Sequence, residues 1–193
     1  MDIQTLINEN NGYLKIADAV AFGISKASAI SYAREQGLEK VAHGVYITKE
    51  TWLDPYYLLQ TRNKQIIFSH ETALFLHGLS DRESQYPVVT VKRGYNASHL
   101  KLQNVKIHTV REEWFESGLD DAVTFAGNKI RIYDKERCIC DIVRNRMKMD
   151  IQVFQASIKS YFTDTDKNLH RLMQYAKMMN IDEKMRQYTE VML

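Results

Sequence analysis

The stretch GYLKIADAVAFGISKASAISYAREQGLEKVAHGVYI, residues 12–47, decides how the beginning of this chain folds. It holds two short segments, roughly Lys15 to Phe22 and Lys26 to Gln36, on either side of Gly23. Apolar residues recur at spacings of three and four in both segments, which predicts two amphipathic helices joined by a tight glycine turn. Two short helices in this arrangement indicate a helix-turn-helix.

The same spacing predicts which side chains of the two helices face the core. In the first helix the inward residues are expected to be Ile16, Ala17, Val20 and Ala21. In the second they are expected to be Ala29, Ile30 and Ala33. Ser25 immediately precedes the second helix and is expected to cap its first turn.

A helix precedes this stretch, and a hairpin closes it. Residues 2–10 carry Ile3, Leu6 and Ile7 at helical spacing. Residues 38–41 and 45–47 are predicted to be two short strands that are joined by a tight turn at His43-Gly44. Helices followed by such a hairpin are typical of a winged helix-turn-helix. The pattern changes near Thr51, so residues 1–51 are predicted to form this first domain.

Residues 52–193 are predicted to form a second, mixed α+β domain. A helix from Asp54 to Arg62 is followed by short strand patterns and by a helix from His70 to His77 that Ser69 is expected to cap. From Asp134 onward the pattern is helical, with helices expected near Asp134–Arg146, Ile151–Tyr161, Lys167–Met179 and Asp182–Met192. The predicted fold class is therefore α+β, with a helical C-terminal segment.

Composition places the chain among ordinary globular proteins. It has 193 residues, 45% of them hydrophobic, with 26 Lys and Arg against 24 Asp and Glu. No stretch approaches the roughly 20 apolar residues that a bilayer span needs, and the N-terminus has no signal-peptide pattern, so we expect a cytoplasmic protein with no membrane contact. Cys138 and Cys140 are expected to be reduced, packed thiols.

Charge alone does not indicate a nucleic-acid partner. Residues 1–50 carry five Lys and Arg against six Asp and Glu, a balance of −1. DNA binding by this region therefore requires a basic face that is assembled in three dimensions.

A recognition helix enters the major groove and reads base edges near its N-terminus, while cations and hydroxyls contact phosphates. The second helix of the pair supplies the candidate contacts Ser25, Lys26, Ser28, Ser31, Tyr32 and Arg34. His43 at the hairpin turn is a candidate wing contact, with Lys40 and Lys49 expected nearby as charge partners. Additional backbone contacts are expected from the second domain, at Lys92, Arg93, Lys101, Lys106, Arg144, Arg146 and Lys148. Glu35 disfavours DNA binding by this helix, because phosphate repels its carboxylate.

No constellation of residues predicts catalysis, a metal or a cofactor. Ser69, His70 and Glu71 are adjacent in sequence, whereas a catalytic triad is assembled from separate elements. His70 and His77 lack an obvious third metal ligand. The chain also lacks a phosphate-binding glycine loop and the paired aspartates of a nucleotidyltransferase. We therefore expect a protein that is not an enzyme and has no cofactor.

Three segments resemble the AbiEi antitoxin family of bacterial abortive-infection systems. Residues 12–47, quoted above, are similar to the family's N-terminal winged helix. The run IIFSHETALFLHGLSD, residues 66–81, resembles the segment that opens its antitoxin domain. The runs CDIVRNR, residues 140–146, and YAKMMNIDEKMRQYTEVML, residues 175–193, are similar to its closing helices. The resemblance extends from Gly12 to Leu193 and is weakest between about Ser84 and Ala126.

The resemblance implies a function in phage defence by a toxin-antitoxin system. Members of the family repress their own operon by binding operator DNA. They also counteract a neighbouring nucleotidyltransferase-like toxin without stable contact between the two proteins. If the operator consists of inverted repeats, it would bind two copies of the chain.

Two other functions remain open at this point. The −1 balance of residues 1–50 also fits a winged helix that binds a protein partner instead of DNA. A nuclease with a winged-helix targeting domain would need a carboxylate cluster, for which Glu112-Glu113 and Asp120-Asp121 are the dense acidic pairs, without suitable strand spacing.

Overall fold

The computed structural model describes residues 2–192 and confirms an α+β fold with helices at its C-terminal end. The described residues form eleven α-helices, one 3-10 helix and eight strands in two sheets. They divide into two compact units. The first comprises residues 2–63 and 123–130, and the second comprises residues 64–122 and 131–192.

The first unit joins four helices to a three-stranded antiparallel sheet in the order β1-β3-β2. Its elements in chain order are α1 Ile3–Glu9, β1 Tyr13–Lys15, α2 Ile16–Ala21, α3 Lys26–Glu35, β2 Glu39–Ala42, β3 Val45–Ile47 and α4 Pro55–Arg62. The three predicted helices before residue 37 and the β2–β3 hairpin are all present within a few residues of their expected bounds. Strand β1 was not predicted, because its three residues gain their partner only from β3, some thirty residues later in the chain.

Helix α2 buries a different face from the one that the apolar spacing predicted. Ile16 and Ala19 are buried, whereas the expected inward residues Ala17, Val20 and Ala21 are exposed. A helix of six residues has less than two turns, so periodicity alone does not determine which side meets the core. On α3 the prediction holds, because Ala29 and Ala33 are buried and Ile30 packs against the same core.

The first unit extends past the predicted border at residue 51. Asp54 is fully buried, caps α4 through Tyr57 N, and accepts hydrogen bonds from Thr124 Oγ1 and Asn128 Nδ2. The hydroxyl of Tyr13 accepts a hydrogen bond from the backbone N–H of Asp54 at 2.8 Å. These buried contacts join α4 and residues 123–130 to the first unit. Sequence spacing does not reveal such contacts, because they connect distant parts of the chain.

The second unit is a sheet covered by helices. Its elements in chain order are β4 Ile67–Phe68, α5 His70–Leu76, β5 Val88–Lys92, α6 Ser98–Lys101, β6 Lys106–Val110, α7 Glu112–Phe115, β7 Leu119–Val123, β8 Lys129–Tyr133, α8 Lys135–Arg144, the 3-10 helix Arg146–Lys148, α9 Ile151–Thr163, α10 Leu169–Met178 and α11 Asp182–Met192. The strand order is β6-β5-β4-β8-β7, with β4 antiparallel to β5 and parallel to β8.

Helix α8 is the most deeply buried helix of the second unit, with every residue from Glu136 to Val143 buried. The side chain of Arg137 is fully buried, pairs with Asp141 at 3.2 Å and donates to the carbonyl oxygen of Trp114 at 2.6 Å. Cys138 and Cys140 are buried free thiols, as predicted, and burial raises the pKa of both. Within residues 2–192, no helix has both the length and the apolar character required to cross a membrane.

Candidate nucleic-acid interface

Helix α3 begins directly after a tight turn and presents one long face to solvent. Gly23 in the turn has a φ of 85°, a conformation that favours glycine, and Ser25 Oγ caps the helix by accepting from Ser28 N at 3.0 Å. The exposed residues from the cap to the last turn are Ser25, Lys26, Ala27, Ser28, Ser31, Arg34 and Glu35. They include every predicted recognition residue except Tyr32.

The centre of the exposed face of α3 is Ser31. At 100° per residue, Ala27 and Arg34 lie on one side of Ser31, and Ser28 and Glu35 lie on the other. The buried residues Ala29 and Ala33 point the opposite way. This face is therefore narrow and made of small side chains along its middle, so a helix of this kind can approach base edges closely.

Two cations of α3, Lys26 in its first turn and Arg34 in its last, lack an acidic partner among the described residues. Among the described residues, neither Lys26 nor Arg34 forms an ion pair or a side-chain hydrogen bond. Glu35, the residue of concern, accepts a hydrogen bond from Ser31 Oγ at 3.0 Å. The carboxylate of Glu35 keeps its negative charge, but within residues 2–192 it pairs with neither Lys26 nor Arg34.

Tyr32 has a different environment from the other predicted contacts. It is half-buried, packs against the core of the first unit, and donates its hydroxyl hydrogen to Gln4 Oε1 on α1 at 2.7 Å. It therefore links α3 to α1 in this structure.

The hairpin separates the three predicted wing residues. His43 is exposed at the turn, beside Gly44 with a φ of 69°, and Lys40 lies opposite Tyr46 within the strands. Lys49 follows β3, at the end of the hairpin away from the turn, and its Nζ lies near Gly37 at the end of α3. The expectation that Lys49 lies near His43 is wrong, because adjacent antiparallel strands carry their outer ends away from the turn.

Comparison with known proteins supports the fold. No known protein family matches this chain. No curated protein matches it either. Among solved structures, the chain is similar to the RV2827C protein from Mycobacterium tuberculosis, with 13% sequence identity and a TM-score of 0.56. The match covers 91% of this chain and 69% of that protein. At this identity the likeness concerns the fold alone.

The predicted basic groups of the second unit have mixed surroundings. Lys92 pairs with Glu112 at 3.1 Å, and Lys106 pairs with Glu71 at 2.6 Å, so acidic neighbours offset both charges. Arg93 and Lys101 are exposed. Contacts of these four residues with DNA stay a prediction.

The last basic group, near the end of α8, divides between two surroundings. Arg146 lies over the Phe154 ring, with its guanidinium carbon 4.5 Å from the ring centroid. Arg144 and Lys148 instead line a cavity together with His70 and His108. The two imidazole rings stack at a centroid distance of 3.6 Å.

The histidine pair is the feature that the sequence patterns did not predict. Ser69 precedes α5, but its side chain makes no capping hydrogen bond, which contradicts the predicted cap. Its Oγ accepts from Thr90 Oγ1 at 2.8 Å and lies 3.0 Å from Nδ1 of His70. His70 and His108 are 38 positions apart, and only the sheet places them side by side. Across residues 2–192, no group of three or more His, Cys, Asp or Glu side chains is arranged to hold a metal ion.

Burial sets the protonation of both histidines. Loss of solvent holds the pKa of His70 well below its ordinary value, and the positive charges of Lys106, Arg137 and Arg144 lower it further. Burial also lowers the pKa of His108 to about 4, with a further contribution from Lys106. Both rings are therefore neutral at neutral pH.

Proposed function

We propose that this chain is a DNA-binding antitoxin that represses its own operon through a winged helix-turn-helix. The observation that carries the proposal is the exposed face of α3, which combines small side chains with the unpaired cations Lys26 and Arg34. An α-helix fits the width and depth of the major groove, and cations at its border neutralise phosphates.

The surrounding elements favour the same interpretation. α2, the Gly23 turn and α3 follow one another as in a helix-turn-helix, and the β2–β3 hairpin follows α3 as a wing does. The hairpin turn carries the exposed His43. In this proposal α3 occupies the major groove, and the hairpin turn contacts the adjacent backbone or minor groove.

The antitoxin part of the proposal rests on the resemblance to the AbiEi family. It places the protein in the cytoplasm, as a non-catalytic repressor of an operon that also encodes a nucleotidyltransferase-like toxin. Repression follows from occupying the promoter, and inverted operator repeats would bind two copies. Growth rescue on co-expression with that toxin is the expected outcome. Failure to rescue growth would contradict the antitoxin part without affecting the DNA-binding part.

The DNA-binding part is tested by removing the two unpaired cations. We expect Lys26→Ala combined with Arg34→Ala to weaken binding to DNA from upstream of the gene by at least about tenfold, because each lost phosphate contact removes favourable counterion release. The matched control is Arg62→Ala with Lys129→Ala, which removes the same charge from exposed positions on α4 and β8. Fluorescence anisotropy gives both affinities, and circular dichroism verifies that each variant is folded. Equal affinities for the two double variants would contradict the placement of the recognition helix.

A protein-binding first unit is the second candidate, and exposed apolar side chains favour it. Val20 and Phe22, at the end of α2, are 49% and 56% exposed. Trp52 and Phe125, which line a cavity of the same unit, are 82% and 75% exposed. Large exposed apolar side chains of this kind often mark a protein interface. Co-purification of the toxin with the wild-type chain, lost in Trp52→Ser or Phe22→Ser, would favour this candidate.

A further inference from the structure

A cavity of about 290 Å³ lies beside the stacked histidines of the second unit. Its walls come from the start of α5, from β6, and from the end of α8 with the following 3-10 helix. The side chains that define its chemistry are those of His70, His108, Arg144, Asn145 and Lys148. All of them belong to the second unit, so a role for this cavity goes beyond the DNA-binding function proposed for the first.

Hydrogen bonds fix His70 in one neutral form. Asn145 Nδ2 donates to the carbonyl oxygen of Asp141 at 2.9 Å and lies 3.1 Å from Nε2 of His70. An amide nitrogen only donates, so Nε2 of His70 accepts. The proton of His70 is then on Nδ1, which lies 3.0 Å from Ser69 Oγ and donates to it. His70 is thus a fixed wall of the cavity.

The backbone of His70 is also unusual. Its φ of 50° lies in the left-handed region, which residues other than glycine rarely adopt. Strain of this kind persists where the surroundings hold a residue in place, and it is common at binding sites. Here it accompanies the stacking of the His70 ring on His108.

His108 carries an unused polar atom. Its Nε2 is buried and has no hydrogen-bond partner among the described residues. A buried ring nitrogen without a partner is rare in folded proteins and often marks the place of a ligand or a bound water. His108 is therefore the residue of the cavity with hydrogen-bonding capacity to spare.

The cavity carries positive charge. Arg144 and Lys148 are exposed at its wall, and neither forms an ion pair within residues 2–192. The guanidinium carbon of Arg144 lies 4.6 Å from the centroid of the Trp114 ring, an attractive contact that helps to hold it in place.

Cations already offset the nearby acidic groups. Asp141, on the cavity wall, pairs with the buried Arg137 at 3.2 Å. Glu71, at the start of α5, pairs with Lys106 at 2.6 Å. The charges of Arg144 and Lys148 therefore remain available for an anion, and the same charges repel a divalent cation.

We propose that this cavity binds a small phosphate-bearing ligand. The planar guanidinium of Arg144 can bond two phosphate oxygens at once, and Lys148 supplies a second positive charge. The ring of His108 lines the cavity beside these two cations. The volume is near the lower end of the range for small-molecule sites, which fits a phosphate group with a small organic part.

The test is calorimetric titration of the full-length protein with inorganic phosphate. We expect saturable binding to the wild type, weakened about tenfold or more by Arg144→Gln and by Lys148→Gln, since each variant removes a charge-assisted contact. Arg146→Gln is the matched control. It removes the same charge and a similar contact with an aromatic ring, two residues away, and it is expected to change the affinity less than twofold. Absence of saturable binding, or equal loss in all three variants, would overturn the proposal.

Titration of the His108 ring, followed by NMR, tests whether the anion binds within the cavity. A bound phosphate dianion stabilises a protonated imidazole, so saturating phosphate is expected to raise the pKa of His108 from about 4 towards its ordinary value. The groups that act on this ring in the free protein are Lys106 on β6, Glu71 and His70 on α5, and Lys148 on the 3-10 helix. An unchanged His108 titration would contradict binding at this cavity.

A DNA-binding assay distinguishes a cavity that binds a small phosphate-bearing ligand from a surface that binds the phosphates of DNA. Lys26→Ala combined with Arg34→Ala is expected to leave phosphate binding within twofold of the wild type, whereas Arg144→Gln is expected to weaken it about tenfold or more. Weaker DNA binding by Arg144→Gln with unchanged phosphate binding would assign Arg144 to the DNA backbone and overturn this proposal. Neither result depends on whether the α3 face binds DNA.

Discussion

Single buried polar residues hold each unit together. In the first unit, Asp54 caps α4 and accepts from Thr124 and Asn128. In the second, Arg137 pairs with Asp141 and donates to two backbone carbonyl oxygens. Removal of either side chain would leave several of its buried partner atoms without a hydrogen bond.

Asp54→Ala is expected to lower the free energy of unfolding by at least about 3 kcal/mol, because it removes a helix cap and leaves two buried donors without an acceptor. Asp2→Ala is the matched control. Asp2 also caps a helix, by accepting from Thr5 N at 2.7 Å, but it is exposed, so its loss should lower the stability much less than the loss of Asp54. Urea denaturation measures both. Equal losses would show that the buried network around Asp54 adds no stability.

The buried histidines predict how stability depends on pH. Their pKa values are lowered in the folded protein, so the unfolded chain binds more protons as the pH falls below about 6.5. The free energy of unfolding should therefore decrease as the pH falls from about 6.5 to about 4. His70→Asn keeps a residue that tolerates the left-handed backbone and removes one titrating ring, so its stability should decrease less over this range. Melting temperatures of the wild type and of His70→Asn, measured across this pH range, test the prediction. Parallel curves for the two would contradict it.

At the level of helices and strands, local signals were sufficient where they were strong. The sequence predicted α3, with its serine cap and its apolar stripe, to within one residue of its end. The predicted buried face of α2 was wrong, because a helix of six residues is too short for its apolar spacing to define one face. Strand β1 was not predicted, because the strand with which it pairs is distant in sequence. The histidine cavity could not be predicted for the same reason. The sequence analysis considered His70, but His108 lies beside it only because the folded sheet brings the two together.

The cap of α3 is a testable element of the face that we propose binds DNA. Ser25→Ala should lower the free energy of unfolding by about 1 kcal/mol, because Ser28 N loses its acceptor. Ser25→Asp keeps an acceptor at the cap, so its stability should stay close to that of the wild type. It also adds a negative charge where α3 approaches phosphate, so its affinity for upstream DNA should fall. Thermal melts and anisotropy together separate the two roles, and undiminished DNA binding by Ser25→Asp would contradict the proposed approach of the helix N-terminus to DNA.

For the molecule as a whole, the sequence predicted the α+β class and the helical C-terminal segment, and the structure confirms both. The domain border was the weaker prediction, because buried contacts of Asp54 and Tyr13 extend the first unit to residue 63 and include residues 123–130. Overall charge gives little guidance, since the net formal charge is only +2. The proposed function therefore depends on the small exposed side chains of α3 and on the unpaired cations in its first and last turns.

The central claim is that the protein recognises DNA of its own operon. The most direct test is binding to DNA from immediately upstream of its gene, compared with a scrambled duplex of equal length, across a salt series near physiological ionic strength. We expect a preference of roughly a thousandfold or more for the upstream DNA, with an affinity that falls steeply as the salt concentration rises. Equal affinity for both duplexes, or no binding to either, would contradict it.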